Sequence, residues 1–121
     1  MQPAFYIPHG GGPCFFMEDP QGTWTSMARF LKELPGTLPR APSAILIVSG
    51  HWETAGFAVT SGEHPALVFD YYGFPPHTYQ LRYDAPGAPP LAAAIVERLR
   101  AAGFPATADG SRGYDHGVFV P

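Results

Sequence analysis

Cysteine is nearly absent from this sequence, and charge is sparse. The single cysteine, Cys14, excludes an internal disulfide framework and suits a reducing compartment. Charged residues make up 14% of the chain, and the net charge of -3 gives no electrostatic reason to expect nucleic acid or an anionic membrane as a partner. The seven lysines and arginines are scattered, without the basic patch that nucleic-acid-binding proteins present.

Long hydrophobic runs are missing as well. The longest, residues 44–48, is too short to cross a bilayer, and the N-terminus lacks the basic segment and apolar stretch of a signal peptide. We therefore expect a cytoplasmic protein. Apolar residues still make up 45% of the 121 residues, which is enough to bury the core of one domain without disulfides.

Proline and glycine are what the sequence has in excess, with 15 and 14 residues dispersed between apolar segments. This composition predicts a fold with many loops on a rigid scaffold, and sites tend to lie on such loops. Residues 70–89 form a long, aromatic and irregular connection of the kind that is usually functional or disordered.

Short apolar runs alternate with helical patterns, which predicts an α/β fold, three-layered, with a mostly parallel central sheet. We expect strands at residues 4–7, 44–48, 56–60, 66–69 and 104–107. We expect helices at residues 24–34, capped by Thr23, and at residues 90–102, with Leu91, Ala92, Ala94, Ile95 and Leu99 facing inward. Residues 44–48 do not alternate, which favours burial on both faces in the centre of the sheet. Because residues 118–121 stop inside an apolar run, we expect residues 1–121 to be the N-terminal part of a single catalytic domain, truncated at the C-terminus.

Three short motifs place a histidine beside a glycine: residues 8–13, 49–52 and 114–117, with His9, His51 and His116. His9 and His51 each follow a predicted buried strand. The carboxyl ends of parallel strands form the ligand crevice of an open sheet, so both imidazoles are expected at one rim. Neutral imidazole is the commonest protein ligand for Zn and Fe, and the pair therefore predicts a metal site. From its residues alone, His116 is either a third ligand or an acid/base group.

The remaining histidines, the glycine run and the cysteine allow other interpretations. For His64 and His77, which follow no predicted strand, a surface role is favoured. The His-Gly-Gly-Gly run at residues 9–12 is similar to the oxyanion loop of some esterases, but the sequence has no G-x-S-x-G elbow. Cys14, beside two phenylalanines, is predicted to be a small buried apolar residue.

Five motifs in order along the entire chain resemble the class III extradiol ring-cleaving dioxygenases, in particular the DOPA 4,5-dioxygenase-like branch. They lie at residues 8–10, 48–53, 69–75, 81–87 and 113–117. The resemblance implies a non-haem metal, Fe(II) or Zn, with His9 as first ligand and His51 as second. It implies that His116, in Asp-His-Gly, is a catalytic acid/base residue. The partners implied are a catechol-type substrate and O2, with ring opening beside the hydroxyls.

The same resemblance places the family's third metal ligand in a C-terminal half that this chain lacks. Glycines at 11 and 12 also replace the family's more usual serine. Two other functions therefore stay open: a Zn-dependent hydrolase that uses a metal-bound water, and a non-catalytic truncated remnant. Homo-oligomerisation, the identity of the catechol and the choice between Fe and Zn are left open by the sequence.

Overall fold

The computed structural model describes residues 2–121 and has an α/β architecture. In chain order the elements are helix α1 (Thr25–Glu33), strand β1 (Phe57–Thr60), helix α2 (Pro89–Ala101), strand β2 (Ala106–Asp109) and the short helix α3 (His116–Phe119). Three 3-10 helices lie at Cys14–Phe16, Leu34–Thr37 and Pro76–Gln80. Within residues 2–121, no helix is both long and apolar enough to span a membrane.

The sheet consists of β1 and β2, which pair in parallel from Phe57 opposite Ala106 to Thr60 opposite Asp109. Parallel strands need a long crossover, and α2 lies in the connection and packs on both strands. The buried residues of α2 are Ala92 and Val96, whereas Leu91 is 38% exposed. The helix is therefore rotated from the predicted orientation: Ala94 and Leu91 face solvent, and Val96 takes an inward position.

The two main helices lie within a residue of their predicted bounds, but the predicted cap of α1 is wrong. Thr23 does not cap the helix with its side chain. Instead, the Asp19 carboxylate accepts hydrogen bonds from the backbone N–H groups of Thr23 and Trp24, at 2.8 and 2.7 Å. Helix α2 stops before Gly103, as predicted, and Gly103 has the positive φ of 86° that favours glycine.

The predicted strands at residues 4–7 and 44–48 are not strands in this structure, and residues 66–69 make only an isolated parallel bridge between Leu67 and Tyr114. The prediction that residues 44–48 are buried on both faces is also wrong, since Ile45 is 72% exposed and Val48 is 92% exposed. A strand needs neighbours to satisfy its backbone and cover its side chains. Residues 44–48 have no strand beside them in the part of the chain described here.

The main hydrophobic cluster lies under the C-terminal segment. Its buried members are Tyr71, Phe119 and Val120. Partly buried apolar residues surround them: Phe15, Leu67, Phe69, Phe74, Tyr79 and Leu81. This cluster holds α3 against the loop that precedes α2, and so fixes the position of the first residue of α3, His116.

Candidate metal centre

Three imidazoles meet at one point of the structure. One ring nitrogen from each of His9, His51 and His116 lies within 4.8 Å of the other two. The Nε2 atoms of His9 and His51 are 2.9 Å apart. The structure therefore brings together the two residues predicted as ligands, and it places the third motif histidine beside them.

His9 is followed by a residue, Gly10, whose backbone conformation and close surroundings favour glycine. Gly10 has a φ of +77°, and a Cβ there would lie 2.6 Å from the Sγ of Cys14. The Cys14 thiol in turn donates to the His9 carbonyl at 3.5 Å. Burial lowers the pKa of His9, and the nearby His116 and His51 rings lower it further. His9 is accordingly neutral at physiological pH, which is the form that binds a metal.

His116 is the first residue of α3, and it is buried, with 7% of its surface exposed. One oxygen of Asp70, Oδ1, accepts from the His116 backbone N–H at 3.0 Å and lies 2.8 Å from its ring Nδ1. Burial by itself raises the pKa of Asp70, but the hydrogen bonds from His116 outweigh it, and the pKa lies below its ordinary value.

The charge of Asp70 decides which nitrogen of His116 is free. An ionised carboxylate only accepts hydrogen bonds, so Nδ1 of His116 must carry the proton that it shares with Asp70. In the neutral ring, Nε2 is then left with an unshared lone pair. This nitrogen can bind an ion or accept a proton from a substrate.

The carboxylate of Asp115 does not meet the imidazole beside it in sequence. Asp115 caps α3: its Oδ1 accepts from the backbone N–H of Gly117 at 3.0 Å, and from the Ser49 hydroxyl at 2.7 Å. The residue that orients His116 is Asp70, which the sequence reasoning missed. A signal was present, because Asp70 directly follows the apolar residues 66–69, as His9 and His51 follow apolar runs.

Among the aromatic residues between α1 and α2, some contact the histidine cluster and others pack elsewhere or are exposed. The Tyr71 ring stands edge-on to His116, with centroids 5.8 Å apart, and is buried. Tyr72 is 92% exposed, and Tyr83 packs against Tyr114. Of these three tyrosines, Tyr71 is therefore the one that packs against a histidine of the cluster.

The remaining candidate residues lie outside the cluster. His64 is exposed, and His77 is an exposed residue whose Nε2 lies 2.8 Å from the carbonyl of Phe16. Cys14 is buried, as predicted, and burial raises the pKa of its thiol. A buried thiol with a raised pKa is a poor nucleophile, which agrees with its interpretation as a packing residue.

The donor set fits a metal ion. The Nε2 atoms of His9 and His51 are 2.9 Å apart, so either one of them donates a proton to the other or a cation lies between them. Their separation is compatible with both lying about 2.0–2.1 Å from one Zn, the usual Zn–N distance. Nitrogen ligands of this kind suit Zn and Fe.

The regions of this chain that match known proteins include His9, His51 and His116. A family model described as the catalytic LigB subunit of aromatic ring-opening dioxygenase matches residues 3–121. Dioxygenase tasH of Hapsidospora irregularis is 39% identical over 127 residues, covering 100% of this chain and 39% of its own length. The 4,5-DOPA dioxygenase extradiol of Escherichia coli (strain K12) is 43% identical over 116 residues, covering 95% of this chain and 40% of its own.

A third relative gives a similar result. The 4,5-DOPA dioxygenase extradiol of Portulaca grandiflora is 34% identical over 119 residues, covering 98% of this chain and 42% of its own length. The chain thus spans about two-fifths of the length of these relatives. The resemblance inferred from the five motifs is confirmed. The chain belongs to the family of the catalytic LigB subunit of aromatic ring-opening dioxygenases.

Proposed function

We propose that this chain forms the N-terminal part of the catalytic domain of an extradiol dioxygenase, which opens a catechol-type ring with O2 at a non-haem metal, Fe(II) or Zn. The observation that carries the proposal is the convergence of His9, His51 and His116, with the first two Nε2 atoms 2.9 Å apart. Family membership supports the reaction class.

In this proposal His9 and His51 hold the metal. Two imidazoles would supply two ligands, fewer than Zn or Fe(II) binds, so a bound ion would keep room for other ligands. When bound, the metal would supply a place where an aromatic diol and dioxygen can exchange electron density. The lowered pKa of His9 supports this role, since the neutral imidazole is the form that binds a metal.

His116 acts as the acid/base group. Within residues 2–121, the hydrogen bond of its ring is the one between Nδ1 and Asp70, which leaves Nε2 to take a proton from a substrate hydroxyl and return it after ring opening. Asp70 stabilises the protonated ring when the proton is taken. Tyr71, packed edge-on against the imidazole, restricts water on that side.

A Zn-dependent hydrolase is the second candidate, because three histidines around an open position are also the ligand set of some catalytic zinc sites. The two functions differ in their need for oxygen. Oxygen uptake with a catechol, together with visible absorbance from a semialdehyde product after anaerobic Fe(II) loading, supports the dioxygenase. Hydrolysis without oxygen uptake supports the hydrolase, and metal binding without turnover supports a non-catalytic remnant.

The metal ligands are tested by substitution. We expect His9→Ala and His51→Ala to abolish metal loading, measured by elemental analysis, whereas His116→Ala leaves loading intact and removes turnover of the complete enzyme. His64→Ala is the matched control, since that histidine is exposed and outside the cluster. Unchanged loading of His51→Ala would overturn the ligand assignment, and lost loading of His116→Ala would make His116 a third ligand.

A further inference from the structure

We propose that Ser49 and Asp115 are positioning residues that hold His51 at the metal site, through a hydrogen-bonded link from helix α3 to the loop that carries His51. The proposal rests on the proposed function, in which His51 is a metal ligand. It assigns roles to two residues that do not themselves touch a metal or a substrate.

The link begins at a buried carboxylate. The Asp115 side chain is 3% exposed and has three hydrogen-bond donors around it. Oδ1 accepts from the Ser49 hydroxyl and from the Gly117 backbone N–H, and Oδ2 accepts from the Arg112 guanidinium at 3.1 Å. Because both of its carboxylate oxygens accept hydrogen bonds and it caps α3, the Asp115 side chain is held in one position and can in turn hold Ser49.

Ser49 connects Asp115 to the backbone of His51 through two hydrogen bonds. A carboxylate only accepts, so the Ser49 hydroxyl must donate its proton to Asp115. Its oxygen is then oriented to accept, and it accepts from the His51 backbone N–H at 3.2 Å. The direction of both hydrogen bonds is thus set by the charge of Asp115.

The loop needs such a link because the segment before it is not held by a sheet. Residues 44–48 pair with no strand in the described part of the chain, and their side chains are exposed. In a parallel sheet, strand pairing alone would place the residue after the strand. Here the placement of His51 depends on its contacts with α3.

The ring of His51 also lies against α3. A Cβ added at Gly117 would lie 2.8 Å from Cδ2 of His51 and 2.8 Å from Oγ of Ser49. The ring therefore rests on a position with no side chain. The next residue, Trp52, is also attached to this region, because the Arg112 guanidinium lies 5.0 Å from its ring centroid. Backbone, ring and following residue are all positioned by residues 112–117.

Metal affinity provides the first test. We expect Ser49→Ala to weaken Co(II) binding, measured by calorimetry on the full chain, by about 10- to 100-fold, the usual cost of removing a group that orients a ligand. Ser49→Thr keeps the hydroxyl and should restore the affinity. Ser111→Ala is the matched control: it removes another serine-to-aspartate hydrogen bond, to Asp109 at 2.8 Å, away from the histidines. Melting temperatures should be similar for both alanine variants.

A second test needs no metal. In the metal-free chain we expect a nuclear Overhauser effect between the His51 ring and the Gly117 α-protons, retained in Ser49→Thr and lost or weakened in Ser49→Ala. A retained effect, or wild-type Co(II) affinity, in Ser49→Ala overturns the positioning role. If the effect weakens as expected while the wild-type chain binds no Co(II), the positioning role stands and the proposed metal site is what fails.

Discussion

The contact between Asp70 and His116 joins a charge to a histidine that is almost fully covered. A single carboxylate oxygen receives two N–H groups of the same residue, one from the backbone and one from the ring. This geometry fixes the rotation of the ring as well as its tautomer. Hydrogen bonds to charged groups contribute about 1.5–3 kcal/mol each, so the contact matters for stability as well as for chemistry.

We predict that Asp70→Asn lowers the free energy of unfolding at neutral pH by about 1–3 kcal/mol. The pKa of Asp70 is lowered in the folded state, from 3.8. Its stabilising effect is therefore complete above that value and is lost as the pH falls through the lower, folded-state pKa. Urea unfolding of both proteins at a series of pH values checks this. The gap between them should narrow below about pH 4, and a gap of constant size down to pH 2 would contradict the prediction.

We predict that Gly10→Ala destabilises the protein by about 2 kcal/mol or more. Alanine is strained in the left-handed backbone conformation of residue 10, and its methyl group would also collide with the Sγ of Cys14. Gly11→Ala is the control, since a Cβ there meets nothing within 4 Å, and it should cost less than about 0.5 kcal/mol. Thermal unfolding compares the two variants. Equal losses of stability in the two variants would contradict the prediction, because they would show that backbone strain and crowding at residue 10 carry no extra penalty.

Helix α2 is the element that holds the small sheet together, since it packs on both β1 and β2. Its inward face is defined by the buried Ala92 and Val96, with Ile95 and Leu99 partly covered beside them. These positions follow the i, i+3, i+4, i+7 spacing of a helix packed on one side. Within residues 2–121, α2 is the helix that packs on both strands, so the stability of β1 and β2 depends on this face.

We predict that Val96→Ala costs about 1.5 kcal/mol or more, the value of two buried methyl-sized groups plus any cavity that remains. Leu91→Ala removes a larger side chain from the same helix, but one that is 38% exposed, and should cost less. Chemical denaturation of both variants tests the orientation of the helix. A larger loss for Leu91→Ala would restore the orientation predicted from the sequence.

Helices could be predicted within about a residue because the pattern that defines them is local, as for α1 and α2. Strands at residues 4–7 and 44–48 could not, because strand formation depends on neighbours that no local pattern describes. The site followed the same division. Glycine-histidine motifs after apolar runs indicated His9 and His51. Asp70 also follows an apolar run, but nothing in that position shows that its partner is His116 and not Asp115 or another residue of the same motif.

At the scale of the whole molecule, the main feature is an apolar segment that is left exposed within residues 2–121. Ile45, Leu46 and Val48 are 72%, 63% and 92% exposed, and the segment pairs with no strand in this part of the chain. Segments with unpaired backbone groups and exposed apolar side chains bind other chains readily, because both the backbone groups and the side chains are then covered. Residues of this segment, of β1 and of α2 line one open cavity of about 1090 Å³.

We predict that the isolated chain self-associates as its concentration rises, and that Leu46→Lys reduces this association. Sedimentation velocity over a range of concentrations measures it. Phe104→Lys is the control, because Phe104 is 49% exposed and is not part of the row at residues 45–48. A wild-type chain that stays monomeric at every concentration would contradict the prediction.

His9 and His51, whose ring nitrogens nearly touch, lie 42 positions apart in the chain. An ion bound to both would act on the polypeptide much as a disulfide does: it closes a loop, and the denatured ensemble loses conformational freedom for as long as the ion stays bound. A chelator would then lower the melting temperature of a loaded chain, in addition to any effect on catalysis. A sequence with a single cysteine cannot form an internal disulfide, but two histidines joined by a metal ion can cross-link the chain in its place.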